Sequence, residues 1–255
     1  MKKFFVLIAA VCMTYTTAFA QTVKPFKEGE RAVFLGNSIT DGGHYHSYIW
    51  LYYMTRFPNM PLRILNGGIG GDTAYDMNKR LDGDIFPMKP SVLMVTFGMN
   101  DSGYFEYNGD NPKEFGEQKY QESIKNYQQM EKRFKDLPDT RIVMVGTSPY
   151  DETVQLKENV PFNTKNETIK RIVEYQKESA AKNNWEFTDL NAPMVALNQQ
   201  NQQKDPAFTL CGSDRIHPDN DGHMVMAYLF LKAQGFVGKE VAEVEINANK
   251  KQAVK

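Results

Sequence analysis

The chain is 255 residues long and carries 30 basic and 31 acidic side chains, with a formal net charge of −1. So even a balance gives no reason to expect binding to nucleic acid or to an anionic membrane surface. With 41% apolar residues, the chain is long enough for one domain with a substantial core. Only Cys211 lies beyond the leader predicted below, so no internal disulfide is expected in the mature chain.

Residues 1–20 have the pattern of a cleavable secretory signal peptide. Lys2-Lys3 precedes a short apolar run over 4–13, and Ala18-Phe19-Ala20 supplies a small-x-small cleavage site. The run is too short for a membrane span, so no stable insertion into a bilayer is expected. We therefore predict a mature chain that begins at Gln21 and is periplasmic or secreted.

Beyond this leader, short apolar segments alternate with segments of helical periodicity. The continuously apolar run at 91–97 is typical of a parallel strand buried on both faces. The repeated alternation predicts an α/β fold, a three-layer α/β/α sandwich around a five-stranded parallel sheet. Strands are predicted at 32–35, 62–65, 91–97, 141–146 and 185–190. Helices are predicted at 47–57, 73–81, 163–183, 192–202 and 221–233. One more helix is predicted to follow a loop at 102–116 and to extend to about 137.

The predicted organisation is a leader at 1–20, one domain at 21–234 and a tail at 235–255. In the tail, Val244, Ile246 and Ala248 alternate with polar residues as they would in an edge strand. The tail is therefore either an edge strand that pairs with the sheet or the start of a further module.

Three of the predicted strands end in loops whose residues suit catalysis. These loops are Gly36-Asn37-Ser38, Gly70-Gly71-Asp72 and Gly98-Met99-Asn100-Asp101. The carboxyl ends of parallel strands share one edge of the sheet, where ligands bind in such folds. A serine at a strand-to-helix turn also suits a helix cap, and from the first loop alone a cap is the simpler interpretation.

An aspartate and a histidine three residues apart, Asp214 and His217, precede the last predicted helix. A serine hydroxyl becomes a good nucleophile when an imidazole takes its proton and a carboxylate fixes the imidazole tautomer. One tight turn brings Asp214 to His217, and Pro218 favours an extended backbone at His217. We therefore predict a catalytic triad of Ser38, His217 and Asp214, with a surface histidine near a helix start as the alternative for His217.

Attack on an ester carbonyl generates an oxyanion, which needs hydrogen-bond donors already in place. We predict three such donors, the N–H of Ser38, the N–H of Gly71 and the side-chain amide of Asn100. Glycine suits the second position because it lets the backbone approach a substrate closely.

Further histidine and aromatic residues follow these loops along the chain. We assign His44 and His46, a His-x-His pair, to the substrate-facing rim, and a metal site with Asp214 or Asp41 is the alternative. Tyr104 and Tyr107 suit an aromatic platform for a sugar ring. They suit equally well the structural role of pinning their loop to the body of the domain.

The four blocks together resemble those of the SGNH (GDSL-like) hydrolases, esterases named for the Ser, Gly, Asn and His of these blocks. The similarity covers about residues 31–233, with all four blocks in order. It implies a flavodoxin-like SGNH hydrolase fold and no cofactor. By this resemblance the nucleophile is Ser38, the oxyanion donors are its own N–H, Gly71 and Asn100, and the other members of the triad are Asp214 and His217.

Asn37 stands where the first block of this family usually has aspartate. Because that residue neighbours the nucleophile without taking part in the reaction, the substitution leaves the triad prediction intact. The resemblance implies a secreted esterase that removes short acyl groups, acetyl above all, from carbohydrate.

Three alternatives stay open at the level of sequence. One is a lysophospholipase-like or thioesterase-like lipase of the same family, and another is a non-catalytic carbohydrate-binding domain that keeps the fold. The third is a metal-dependent hydrolase that uses His44, His46 and His217. Our preferred prediction includes no metal.

Overall fold

The computed structural model describes residues 22–157, 160–238, 245–247 and 252–254. The predicted signal peptide at 1–20 lies outside the described residues. Within them, no helix is both long enough and apolar enough to cross a membrane.

A parallel sheet of five strands lies at the centre of the fold. All neighbouring strands pair in parallel, and Phe34 lies opposite both Asn66 and Met94. The predicted α/β fold with its five-stranded parallel sheet is therefore confirmed. The strands are β1 (Arg31–Gly36), β2 (Arg63–Gly68), β3 (Val92–Val95), β4 (Arg141–Gly146) and β5 (Glu186–Asp189), in the order β2-β1-β3-β4-β5.

Helices cover both faces of the sheet, so that consecutive strand residues belong to different cores. Phe34 and Met94 belong to the core beneath the helices at 44–56 and 220–233, whereas Leu35 and Val95 belong to the core beneath the helices at 74–80 and 112–135. Full burial of such a side chain contributes about 1.5–3 kcal/mol to stability. The helices are α1 (Ser38–Asp41), α2 (His44–Arg56), α3 (Ala74–Arg80), α4 (Pro112–Lys135), α5 (Lys165–Lys182), α6 (Asn191–Gln202) and α7 (Asn220–Ala233).

Three predicted boundaries differ from the structure by three residues or more, each for a local reason. Helix α2 begins at His44 instead of 47, because the preceding glycine takes a left-handed φ of +82° and sets the helix start. Strand β2 continues past its predicted end at 65 through Asn66-Gly67-Gly68, because these residues pair with β1. Helix α4 begins at Pro112, before Gly116, because proline lacks the N–H that the first helical turn leaves unbonded.

The described part of the tail forms a small sheet of its own. Strand β6 (Glu245–Asn247) pairs antiparallel with β7 (Gln252–Val254), in a two-stranded sheet separate from the central one. The alternative in which the tail is an edge strand of the central sheet is therefore wrong for these residues. A further module beyond the tail stays a prediction.

The strand order determines which loops meet at the carboxyl edge of the sheet. In a sheet of order 2-1-3-4-5 the winding reverses between β1 and β3, and ligands bind in the crevice at that point. Ser38 follows β1 and Asn100 follows β3. The fold thus places these two loops on either side of the crevice.

Candidate active site

Ser38 is the first residue of α1, directly after the end of β1. The preceding Asn37 is buried, and its Oδ1 accepts a hydrogen bond from the N–H of Ile39 at 3.1 Å. Asn37 therefore caps the short helix and shapes the turn, which leaves the Ser38 hydroxyl facing outward. The Oγ of Ser38 lies 2.7 Å from Nε2 of His217.

The imidazole of His217 is oriented by Asp214 in the same turn. Its Nδ1 lies 2.6 Å from Oδ2 of Asp214. The other carboxylate oxygen accepts hydrogen bonds from the N–H groups of Ile216 and His217, both at 2.9 Å. Because Nδ1 faces a carboxylate, it carries the proton of the neutral ring, and Nε2 can accept the Ser38 proton.

Asp214 and His217 shift each other's pKa in opposite directions. The hydrogen bond to Asp214 raises the pKa of His217 above its ordinary value, against the effect of partial burial. Burial by itself raises the pKa of Asp214, but the hydrogen bonds from the side chain and N–H of His217 and from the N–H of Ile216, with the charge of His217, outweigh it, and the pKa is lowered. At neutral pH Asp214 is therefore ionised, and His217 is a stronger base than a free histidine.

The turn that carries this pair is anchored from beneath by Arg215. The Arg215 side chain is buried, and its Nη1 donates to the carbonyls of Asp151 at 3.1 Å and Val154 at 2.7 Å. Arg215 takes a left-handed φ of +69°, a conformation that persists only where surrounding contacts hold it. Gly212 has a φ of +68°, and a Cβ there would lie 2.3 Å from the carbonyl oxygen of His217.

The predicted oxyanion donors lie on loops that are hydrogen-bonded to one another. The N–H of Ile69 donates to the carbonyl of Gly36 at 3.1 Å, and Nδ2 of Asn100 donates to the carbonyl of Asp72 at 2.9 Å. An amide nitrogen carries two hydrogens, so Asn100 keeps a second one for a ligand. Gly71 has a φ of +85°.

The two predicted backbone donors are also available for a ligand. The N–H groups of Ser38 and Gly71 have no hydrogen-bond partner within the part of the chain that the structure describes. Donors that are fixed in place and unpaired are what the charge of a tetrahedral intermediate requires.

Arg80 joins the ends of β1 and β2 to the loop of Gly71. Its Nε donates to the carboxylate of Asp72 at 2.6 Å, and its Nη2 donates to the carbonyls of Gly67 at 2.7 Å and Gly36 at 3.3 Å. The role of Arg80 is not predictable from the sequence, because an arginine near the end of a helix gives the same sequence pattern whether it is exposed to solvent or bonded to neighbouring loops.

Asp101 joins the loop of Asn100 to helix α3. One of its carboxylate oxygens accepts from the N–H of Ala74, and the other from the N–H of Gly98, both at 2.9 Å. Burial raises the pKa of Asp101, and these two hydrogen bonds oppose the increase. Because Asp101 is buried and bonded to two separate segments, it fixes their relative position.

The two tyrosines predicted to bind substrate have different surroundings. The hydroxyl of Tyr104 donates to Oδ1 of Asn100, which places this ring at the candidate site. Tyr107 is buried, and its hydroxyl donates to the carbonyl of Ser102 at 2.8 Å and lies 2.9 Å from Oγ1 of Thr168. The prediction that Tyr107 contacts substrate is therefore wrong, since this side chain pins its loop to the body of the domain.

The two histidines predicted at the rim also differ. His46 is buried, its Nε2 lies 3.2 Å from the carbonyl oxygen of Thr40, and its ring packs against Phe34. The prediction that His46 contacts substrate is therefore wrong. His44 is exposed and stacks on the ring of His223 with centroids 5.0 Å apart, and its contact with substrate stays a prediction.

The metal alternative required His44, His46 and His217 to converge on one ion. The ring of His46 is buried, and its Nε2 is engaged with the carbonyl oxygen of Thr40. Among the described residues, no group of three or more His, Cys, Asp or Glu side chains is placed to hold a metal ion.

Residues 34–225 match the profile of a family described as GDSL-like Lipase/Acylhydrolase. The chain belongs to the GDSL-like lipase/acylhydrolase family. This family consists of carboxylic ester hydrolases, and the matched range contains all four blocks described above.

One curated relative of this chain is the acetylxylan esterase of Geobacillus stearothermophilus. It is 26% identical over 224 residues, which are 82% of this chain and 95% of the relative. A solved structure of that enzyme shares the fold, with a TM-score of 0.65 at 23% identity over 85% of this chain and 98% of that chain. Other solved structures of it are described as catalytic mutants, and they replace a serine, an aspartate or a histidine three positions after that aspartate by alanine.

A second solved structure is much more similar in sequence. It is a gut microbial diltiazem-metabolizing enzyme, 84% identical to this chain, with a TM-score of 0.88. The match covers 92% of this chain and 53% of that one, so the present chain spans about half the length of that solved structure.

Proposed function

We propose that this protein is a serine esterase that removes acetyl groups from carbohydrate, and that the leader directs it to the periplasm or the exterior. The observation that carries the proposal is the hydrogen-bonded series from Ser38 through His217 to Asp214, with distances of 2.7 Å and 2.6 Å. The related acetylxylan esterase supports it, because its catalytic mutants alter the same three residue types with the same spacing between aspartate and histidine.

In the first half of the reaction, Ser38 Oγ attacks the acetyl carbonyl carbon while its proton passes to Nε2 of His217. The negative charge on the carbonyl oxygen is stabilised by the N–H groups of Ser38 and Gly71 and by the second amide hydrogen of Asn100. The intermediate collapses, the bond to the sugar oxygen breaks, and that oxygen takes the proton from His217. Asp214 stabilises the transient imidazolium and stays ionised.

In the second half, a water molecule gives its proton to Nε2 of His217 and attacks the acetyl group on Ser38. The second intermediate collapses, the bond between the acetyl carbon and Ser38 Oγ breaks, and Oγ takes the proton back from His217. Acetic acid leaves and ionises in solution. Both halves need the same donors and the same base, so one geometry serves the whole cycle.

Two considerations favour a short acyl group on a bulky alcohol. The side chains of Asp214 and His217 are each 48% exposed, so the site is accessible at the protein surface and the triad does not lie in a deep tunnel. The curated relative is named for acetylxylan, an acetylated polysaccharide. A surface site suits an acetyl group that projects from a polymer.

A second candidate substrate follows from the diltiazem-metabolizing relative, with which this chain shares 84% identity. Diltiazem carries an acetyl ester on a ring, so its deacetylation uses the same chemistry. We propose that this chain also hydrolyses that ester.

The test uses the purified protein with p-nitrophenyl acetate, p-nitrophenyl octanoate, acetylated xylan and diltiazem, with acetate release measured for the last two. Ser38→Ala is expected to lower kcat for the acetyl substrates by about 10⁴-fold or more. The matched control is Ser47→Ala, an exposed serine on the neighbouring helix, which should keep wild-type turnover. A fluorophosphonate probe should label the wild type and the control, and leave Ser38→Ala unlabelled.

Each alternative has its own outcome in this test. Preference for octanoate indicates the lipase-like alternative, and glycan binding without turnover or labelling indicates a carbohydrate-binding domain. Loss of activity with a chelator indicates a metal-dependent hydrolase. Full turnover by Ser38→Ala contradicts the proposal outright.

A further inference from the structure

A buried lysine lies directly beneath the loop of Asn100. Lys165 is the first residue of α5 and has no exposed surface. Its Nζ donates to the carbonyl of Met99 at 2.7 Å, to Oγ of Ser102 at 2.6 Å and to the carbonyl of Gly103 at 2.5 Å. An ammonium group has three N–H donors, so these three oxygens use all of them.

The position of this charge is unfavourable for the helix and for the core. A positive charge at a helix N-terminus opposes the helix dipole, and burial removes the ammonium from water. The groups that face it are the carboxylates of Asp101 and Glu152 and the rings of Tyr104 and Tyr150, whose centroids lie 3.9 Å and 5.8 Å from Nζ. Because the charge does not stabilise the helix, the favourable contacts of the ammonium group are those with the loop of Asn100.

The contacts of Lys165 lie on both sides of Asn100. It binds the carbonyl of Met99, immediately before Asn100, and that of Gly103, three residues after it. It also lies against the ring of Tyr104, whose hydroxyl donates to Oδ1 of Asn100. The backbone and the side-chain orientation of Asn100 therefore both depend on groups that Lys165 contacts.

We propose that Lys165 is a positioning residue for oxyanion stabilisation, which holds the 99–104 loop so that the amide of Asn100 faces the Ser38 hydroxyl. This inference rests on the proposed esterase function and adds a residue to its machinery. Lys165 acts through Asn100 and does not touch the substrate.

The charge state of Lys165 gives the proposal a dependence on pH. Burial lowers the pKa of Lys165 to about 7, although Asp101 and Glu152 oppose the decrease. Above that pH the neutral amine has two N–H donors for three acceptors, so the loop loses one hydrogen bond and kcat should fall. The stability of the fold should not decrease together with kcat. The unfolded chain keeps the Lys165 proton up to the ordinary lysine pKa, so between about pH 7 and that pKa the unfolded state binds more protons than the folded state. The contribution of this group to stability therefore rises with pH over that range.

The principal variant is Lys165→Met, assayed with p-nitrophenyl acetate as a function of pH. We expect kcat to fall about 10- to 100-fold with KM changed less than about threefold, since part of one oxyanion donor's effect is lost. The alkaline decrease of the wild type near pH 7 should be absent from the variant. The matched control is Lys177→Met, an exposed lysine of the same helix, which should match the wild type.

A double-mutant cycle with Asn100→Ala distinguishes positioning from general damage. If Lys165 acts through Asn100, adding Lys165→Met to Asn100→Ala should lower kcat less than about threefold further. Independent, multiplying losses contradict the proposal. If Lys165→Met does not fold, Ser102→Ala replaces it in the same cycle, because it removes one acceptor of Nζ together with the hydrogen bond from Ser102 Oγ to the carbonyl of Met99.

A readout without substrate separates this proposal from the esterase assignment. Amide hydrogen exchange over 99–104 should be at least about tenfold faster in Lys165→Met than in the wild type, and unchanged in Lys177→Met. Unchanged exchange overturns the positioning role whatever the activity. A wild type without esterase activity contradicts the proposed function, and the exchange result still decides whether Lys165 holds the loop.

Discussion

The proposed base and the proposed oxyanion donor of the candidate site are held in place by opposite means. His217 is oriented by Asp214, three residues earlier, in a turn whose side chains are half exposed. Asn100 lies on a loop held by the buried Asp101 and by Lys165, more than 60 positions further along the chain. The orientation of the base is thus encoded locally, whereas the orientation of the donor depends on the packed interior.

This difference separates two kinds of sensitivity. Changes in the core beneath α5 should reach the oxyanion donor and leave the histidine pair alone. Changes within the turn at 212–217 should disturb the base without loosening the sheet. The three variants below probe this separation.

The largest effect is expected from Asp214→Asn, which disrupts the local contact that orients His217. An asparagine amide no longer enforces the required tautomer, so kcat should fall about 10⁴-fold. In the wild type, kcat/KM should rise as pH increases through the raised pKa of His217, because the neutral ring is the base. The variant loses the main cause of that shift, so its acid limb should move to lower pH.

The control for this variant is Asp219→Asn, an exposed carboxylate at the start of α7 that makes no capping hydrogen bond. Its pH profile of acetate release should coincide with that of the wild type. An acid limb in Asp214→Asn at the wild-type position would show that Asp214 does not set the pKa of His217.

A smaller effect is expected from Gly212→Ala, which displaces the turn as a unit. The new Cβ would lie 2.3 Å from the carbonyl oxygen of His217, so the turn must shift. A displacement of about 1 Å at a catalytic group costs about 10²-fold in rate. Kinetics of p-nitrophenyl acetate hydrolysis together with thermal unfolding measure both consequences.

Gly29→Ala is the matched control, because Gly29 has a similar φ of +79° with no atom within 4 Å of an added Cβ. It should carry the same backbone penalty in stability with unchanged kcat. Equal kinetics in the two variants would show that the contact with His217 is unimportant.

The smallest effect on turnover is expected from Asp101→Asn, which weakens the contacts between distant segments that hold the loop of Asn100. The amide group faces two N–H donors with one acceptor and one donor, so a backbone N–H of Ala74 or Gly98 loses its partner. Such a loss costs about 1–3 kcal/mol of stability. We expect kcat to fall about tenfold, with the acid limb due to His217 unmoved, and Asp110→Asn in the exposed part of the same loop should resemble the wild type.

The sequence predicts well those features that depend on neighbouring residues. The apolar runs indicate the strands, and the Asp-x-x-His spacing allows one turn to pair Asp214 with His217. The order of elements then brings the loop ends to one edge of the sheet. The positions of Ser38 and Asn100 can be predicted in this way, because each residue lies in the loop that follows a predicted strand.

The sequence does not predict features that depend on the direction of a side chain. His46, near the start of α2, and Tyr107, close after Asn100 in the chain, are polar residues next to the site, yet both point inward and bond to the backbone. Lys165 and Arg215 carry charges that usually signal exposure, and both are buried. Only the packing of distant segments decides these cases, and no periodicity within the chain reports it.

The half-exposed triad has a consequence for the second half of the cycle. Because the imidazole is half exposed, the water molecule that would hydrolyse an acetyl group on Ser38 in the proposed reaction needs no channel and no movement of a covering segment. Because the pair is exposed, dissolved ions can also approach Asp214 and His217 and screen the electrostatic attraction between them. High ionic strength should therefore lower the basicity of this histidine, a sensitivity that a triad enclosed in a dry pocket would not share.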